Sequence, residues 1–304
     1  MKHMIWIFHV IQMLPDSFGL YFMPELMQLV KLQRSIRLQV IEAKAKVEAE
    51  AEKPIHHDSI HPNIFYEVLQ SDLPEEEKSV DRITDEALIL IGAGTGTTAW
   101  CIGVATFHII SNPQILTRLK ADLRAAIPDT SINPPLPVLE RIPYLVAIAQ
   151  EGLRLSYGVS SRTERISPDK ALTYIEPSGR TWTIPAGTPL AMTCALIHHN
   201  EAIFPQNQSF VPERWLEDPR LDRHLVSFSK GSRSCLGINL ALSEVYICLA
   251  ALFRRFGSKE VRDEEDEGYL ELFETTLEDV ELSEDLFLPL PKRGSKGIRI
   301  KVRR

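Results

Sequence analysis

Apolar residues recur roughly every three or four positions through most of this chain, and they alternate with polar ones only in a later region. That pattern predicts helices over 24–50, 64–70, 84–110, 113–126, 136–156 and 236–256, with Asn112-Pro113 closing the third. Strands are predicted at 171–176 and 181–184 around Pro177-Ser178-Gly179, and at 188–193 after Pro185-Ala186-Gly187. A last strand is expected in the alternating run Gly297-Ile298-Arg299-Ile300-Lys301-Val302. The expected fold class is therefore mainly α with small β sheets (α+β).

One stretch stands apart. Leu88 to Ile110 contains no Asp, Glu, Lys or Arg, and Gly92 and Gly96 are spaced as in packed membrane helices. Its length suits a bilayer span, and equally a helix buried inside a soluble domain. Residues 4–14, MIWIFHVIQML, are too short to span and lack a small-residue cleavage site, so they read as a buried or membrane-skimming segment. Residues 42–58 read as the end of an exposed helix and a loop, and 260–267 as a solvated excursion.

Composition narrows the function. The chain has 304 residues, 44% of them hydrophobic, and a net charge of −7. That is globular, and the missing basic excess argues against nucleic acid as a partner. The cysteines, Cys101, Cys194, Cys235 and Cys248, form no CxxC pair, so neither a disulfide scaffold nor a structural zinc site is indicated. Cys101 and Cys248 lie in apolar helical runs and Cys194 in a strand-like run, and all three read as small buried residues.

Cys235 differs. It ends the loop Phe228-Ser229-Lys230-Gly231-Ser232-Arg233-Ser234-Cys235-Leu236-Gly237, just before a long amphipathic helix. The helix dipole and the free backbone N–H groups of such a loop favour a thiolate, and Gly231 and Gly237 permit close approach of something large and flat.

The run FSKGSRSCLG resembles the haem-binding loop of the cytochrome P450 monooxygenases, Phe-x-x-Gly-x-Arg-x-Cys-x-Gly, with each fixed position present. The resemblance implies haem b as cofactor and Cys235 as the iron ligand. It also implies that Arg233 bonds a propionate, Phe228 shields the sulfur, and Gly231 and Gly237 admit the loop and the porphyrin edge.

Other motifs follow in that family's order. Glu151-Gly152-Leu153-Arg154 has its Glu-x-x-Arg form, with both side chains on one helical face. Phe210-Val211-Pro212-Glu213-Arg214-Trp215 resembles its Pro-Glu-Arg segment, so Glu151, Arg154 and Arg214 are expected to form a buried triad. Ala93-Gly94-Thr95-Gly96-Thr97-Thr98 resembles the oxygen-binding helix. Interior glycines cost about 1 kcal/mol each, and a ligand pressed against a locally widened helix would account for them.

By that resemblance Gly94, Thr97 and Thr98 are the catalytic positions, with Thr97 hydrogen-bonding the bound dioxygen. Gly96 stands where the family usually carries an acid, so a water chain through Thr97 or Thr98 must carry protons. Arg165, favoured over Arg162 by its offset, is implied at the second propionate, although both also read as surface arginines. Ala93, Val159 and Ser160 are implied in the substrate pocket.

The resemblance is strongest to fungal members of the trichodiene oxygenase type, and so to oxidation of terpenoid or other apolar secondary metabolites. It corresponds to the C-terminal part of the cytochrome P450 fold. The expectation is one partial domain over 1–304 without the membrane anchor and early helices, with residues 1–30 resembling the pocket cap. Implied partners are NADPH-cytochrome P450 reductase, an apolar small molecule and dioxygen, with peripheral membrane contact. The implied location is the cytoplasmic face of the endoplasmic reticulum, or the cytoplasm for a chain without the anchor. A non-catalytic haem or apolar-ligand binder and a membrane-embedded helical protein remain as other classes.

Overall fold

A computed structural model describes residues 24–51, 64–132 and 134–304. The segment 4–14 and most of the pocket-cap region lie outside them. The chain divides into two units, 1–93 and 94–304, and the boundary falls within one helix.

The first unit holds helices α1 (Pro24–Ala51) and α2 (Ile64–Gln70) and the start of α3 (Val80–Ser111). Ile36, Val40, Ala43 and Val47 recur at spacings of four, three and four, which makes one apolar stripe along α1. Tyr66 and Leu69 of α2 and Ile83 and Ala87 of α3 pack into the same cluster. Arg37 pairs with Asp81.

In the second unit, α3 is followed by α4 (Pro113–Ala126), α5 (Leu136–Leu139) and α6 (Pro143–Ser156). The Asn112 side chain accepts the N–H groups of Gln114 and Ile115, which caps α4 where Pro113 starts it. The single helix expected over 136–156 is two, because Pro143 has no N–H to continue the ladder. Of α3, Cys101, Val104, Ala105, Phe107 and Ile109 are buried, whereas Ile91 to Gly96 are exposed. The expected buried helix is thus buried only in its second half. Among the described residues α3 alone is long and apolar enough to cross a membrane.

Four short strands follow: β1 (Thr163–Ile166), β2 (Leu172–Ile175), β3 (Thr181–Ile184) and β4 (Pro189–Met192). β2 and β3 form the hairpin expected around Gly179, whose φ is +87°, and β1 pairs antiparallel with β4. Next come α7 (Cys194–His198), α8 (Glu213–Glu217) and α9 (Ile238–Arg255). Leu116, Leu119 and Leu123 of α4, Leu145 and Ile148 of α6, and Val245, Leu249 and Phe253 of α9 join the buried part of α3 in one core.

Strands β5 (Phe256–Ser258), β6 (Gly268–Leu272), β7 (Glu284–Leu286), β8 (Leu288–Leu290) and β9 (Ile300–Arg303) complete the chain. β6 lies between β5 and β9, parallel to the first and antiparallel to the second, and β7 pairs with β8. The excursion 260–267 is mostly exposed, but Asp266 turns inward to the buried Lys120 at 2.6 Å. A lone charge there would be costly, and the pair answers that.

Candidate functional site

Glu151 and Arg154 occupy one face of α6, three residues apart, and neither is exposed to solvent. Arg154 Nε donates to Glu151 Oε2 at 2.9 Å and Nη2 to Oε1 at 2.8 Å, the two-point geometry that a planar fork permits. Arg154 Nη1 donates to the carbonyl oxygens of His198 (2.9 Å) and Asn207 (2.7 Å), and Nη2 to that of Ser209 (2.9 Å). Every N–H of this guanidinium is used.

Arg214, at the start of α8, donates from Nε to Glu151 Oε1 at 3.3 Å and from Nη1 to the carbonyl of Pro205 at 2.7 Å. Val211 N–H and Trp215 Nε1–H complete the shell of Glu151 at 2.8 and 2.9 Å. The structure brings Glu151, Arg154 and Arg214 together in a buried cluster.

The C-terminus of α6 carries the cysteine loop. Tyr157 and Gly158 both have positive φ (63° and 73°), which turns the chain sharply. A Cβ on Gly158 would meet the carbonyl oxygen of Ser227 at 2.7 Å, so only glycine lets the loop approach so closely. Ser227 Oγ donates to the carbonyl of Leu153 at 2.8 Å. His198 Nε2 accepts the N–H of Val226 at 3.1 Å, and its Nδ1 therefore carries the proton given to the carbonyl of Arg154 at 2.8 Å. Burial pushes the His198 pKa down to about 3.

Cys235 is exposed, and its backbone N–H donates to the carbonyl of Phe228 at 2.8 Å, which closes the loop on itself. Phe228 is half-buried against the core, while Gly231 (φ +76°) has open space where a side chain would stand. Arg233 is exposed in a short turn and has no protein partner among the described residues. Gly237 precedes α9 without a side-chain cap, and a Cβ there would lie 4.0 Å from the Cys235 sulfur. Arg165 reaches the loop through Ser229 Oγ at 3.3 Å.

On α3, Thr97 is half-buried and Thr98 is buried, its hydroxyl without a partner among the described residues. Gly94 is exposed, and the helix continues as α through 92–98 rather than widening. Ala93 belongs to the first unit, and Val159 and Ser160 to the second. Ser160 is buried, and its hydroxyl donates to Asp285 at 2.8 Å. Val159 is half-buried, and its carbonyl accepts Cys194 Sγ at 2.9 Å.

Two cysteine expectations need correction. Cys194 is buried as expected but opens a short helix rather than sitting in a strand, because Thr193 caps that turn. Cys248 is exposed, because it faces away from the stripe that α9 buries. Cys101 is buried, and desolvation pushes its thiol up to about 12.

The donor set can be tested against haem. Among the described residues no three His, Cys, Asp or Glu side chains gather to hold a metal, so iron here needs a ligand that supplies its own equatorial donors. The exposed thiol is followed by Leu236 and Leu240, exposed at 88% and 63%, with Arg233 and Arg165 on and beside the same loop. An apolar macrocycle with anionic edges fits such a surface.

The fold is mainly helical with small sheets, and it carries a buried Glu-Arg-Arg cluster and a thiol-bearing loop closed on itself. The family described as Cytochrome P450 matches residues 2–277, and the chain belongs to it. It is 44% identical over 303 residues to cytochrome P450 monooxygenase tpcC of Cochliobolus heterostrophus, covering 99% of this chain and 57% of that protein.

With cytochrome P450 monooxygenase astB of Talaromyces wortmannii the identity is 47% over 246 residues, 79% of this chain and 49% of that one. N-acetyltryptophan 6-hydroxylase ivoC of Emericella nidulans is 37% identical, covering all of this chain and 56% of its own. The chain spans about half the length of the curated relatives it matches. The family depends on haem iron.

His198 and Ser227 were not singled out by sequence reasoning. The paired histidines at 198 and 199 were the available signal, but a histidine that bridges two backbone groups looks, in sequence, like any other.

Proposed function

We propose that this chain carries the catalytic core of a haem-thiolate monooxygenase that inserts one atom of dioxygen into an apolar small molecule, a terpenoid or other fungal secondary metabolite. The observation that carries the reading is the exposed Cys235 on a loop braced from behind by buried Glu151, Arg154 and Arg214 through Val226, His198 and Ser227.

Haem, when bound, supplies the reductive activation of dioxygen. In this reading Cys235 ligates the iron, Arg233 and Arg165 hold the propionates, Phe228 shields the sulfur, and Gly231 and Gly237 leave room for the ring. The hydroxyls of Thr97 and Thr98, with water, hold and move protons, because Gly96 has no side chain to do so. Gly94 lets the helix be approached closely, and Val159 and Ser160 belong to the substrate pocket.

Electrons come from NADPH-cytochrome P450 reductase, with the protein at the cytoplasmic face of the endoplasmic reticulum or peripheral to the membrane. Supplying haem, reducing and adding carbon monoxide is expected to give the strongly red-shifted thiolate band, and a band at the position of a neutral ligand would overturn the reading.

A second reading, a haem or apolar-ligand binder without oxygen chemistry, is favoured by Gly96 in place of an acid. Substrate-dependent NADPH consumption with added reductase separates the two.

A further inference from the structure

Where α3 passes beside β8, the second unit forms a half-open cavity of about 200 Å³. One wall is Gly96, Thr97 and Trp100 of α3, which share a helical face at i, i+1 and i+4; the others are Gly158 and the Leu-Pro-Leu-Pro run 288–291. The lining carries no charge. Its polar atoms are backbone, the Thr97 hydroxyl and the Trp100 indole nitrogen, and that nitrogen is shut away from the cavity, with no accessible surface.

Glycines make the space. A Cβ on Gly96 would already lie 3.8 Å from Leu288 Cδ1, at ordinary contact, so any longer side chain has to enter the cavity or push Leu288 aside. At Gly158 the positive φ and the Ser227 carbonyl exclude a side chain altogether.

The opposite wall is fixed. Ser160 and Ser161 both donate to Asp285 Oδ1, at 2.8 and 2.7 Å, and Ser160 N–H donates to the carbonyl of Phe287 at 3.1 Å. Those hydroxyls hold the Asp285 carboxyl below the usual carboxylate range. The β7–β8 hairpin is therefore tied to the segment after α6, and Pro289 and Pro291 restrict the backbone that closes the cavity. The space is preformed.

Volume and lining together define an occupant. An apolar cavity of roughly 150 Å³ accepts benzene, so this one has room for a six-membered carbon ring and a methyl group. We propose that Gly96 is a specificity-determining residue, whose absent side chain opens a cavity that receives one six-membered carbocyclic ring of the substrate. The assignment to substrate rests on the oxygenase reading above; the ring-binding cavity itself does not.

The test uses toluene and methylnaphthalene as probes on the 304-residue chain, with and without added haem, read from the methyl resonances of Leu288 and Leu290. Toluene is expected to bind saturably and to shift those methyls most. Gly96→Phe, which fills the cavity, is expected to weaken toluene at least about tenfold, or 1.4 kcal/mol. Leu288→Ala, which enlarges the cavity and leaves α3 untouched, is expected to shift preference toward methylnaphthalene, and it decides the matter if Gly96→Phe does not fold.

Toluene binding that is unchanged in a folded Gly96→Phe, unchanged preference in Leu288→Ala, or shifts confined to other methyls would each overturn the proposal. The carbon monoxide band on the same samples keeps the two readings apart. Ring binding without the band sinks the oxygenase reading and the assignment to substrate but not the ring-binding cavity, and the band without ring binding sinks this proposal alone.

Discussion

Arg154 and His198 exchange hydrogen bonds in both directions: Arg154 Nη1 donates to the His198 carbonyl at 2.9 Å, and His198 Nδ1 donates to the Arg154 carbonyl at 2.8 Å. The imidazole then passes the connection on, by accepting the N–H of Val226 at the entrance to the cysteine loop. His198→Ala leaves a buried carbonyl and a buried N–H unpaired and is expected to destabilise the fold by about 2–4 kcal/mol, read from the urea midpoint.

The same ring sets a pH dependence. Burial depresses the His198 pKa from 6.5 to about 3, and that of His108 to about 4. Between pH 6.5 and those values the unfolded chain binds protons that the folded chain refuses. Stability contributed by keeping both rings neutral is therefore complete above 6.5 and declines as pH falls toward 4 and then 3. Urea titrations at pH 7.5 and pH 5 are expected to show that decline, and His198→Ala is expected to flatten it. A slope identical in the variant would rule out His198 as its source.

Glu151 is surrounded by donors that need its charge. Glu151→Gln leaves Arg154 and Arg214 buried without a counterion, and the expected loss is about 3–5 kcal/mol, enough to abolish cooperative unfolding in a marginal protein. Arg154→Lys keeps the charge but lacks the fork that reaches Glu151 and three carbonyls at once, so it is expected to recover little of the stability.

Gly158→Ala forces a Cβ to 2.7 Å from the Ser227 carbonyl at a φ of +73°. The backbone conformation alone costs about 1–3 kcal/mol, and the loop has to retreat as well. Faster labelling of Cys235 by a thiol reagent, with the far-ultraviolet circular dichroism unchanged, is the expected signature.

Cys235→Ala separates ligand from scaffold. The thiol is exposed and its backbone holds the loop, so the urea midpoint is expected to move by no more than about 0.5 kcal/mol. The red-shifted carbon monoxide band is expected to vanish in the same variant. Survival of that band would remove the ligand assignment.

What the residues disclosed in advance was whatever depends on short-range rules. Asn112-Pro113 marked a boundary, Gly179 marked a hairpin, and three-residue spacing placed Glu151 beside Arg154. Effects that depend on distant partners were hidden. β6 had no sequence signal because its neighbours β5 and β9 come from separate parts of the chain, and Pro143 was read as internal to a helix it begins. The five-residue helix α7 took the place of a strand end because one threonine cap outweighed a run of apolar residues. The cluster of Glu151, Arg154 and Arg214 could be anticipated as charges, but the carbonyls of 198, 205, 207 and 209 that complete it belong to no motif.

Those carbonyls make the stretch from 198 to 209 a ruler. Arg154 and Arg214 grip its main-chain oxygens, so at those positions beyond His198 the side chain is not what they read, while the residue count between them is. One inserted residue would slide every oxygen beyond it out of reach of the two guanidinium groups, a fault no side-chain substitution within the stretch could repair.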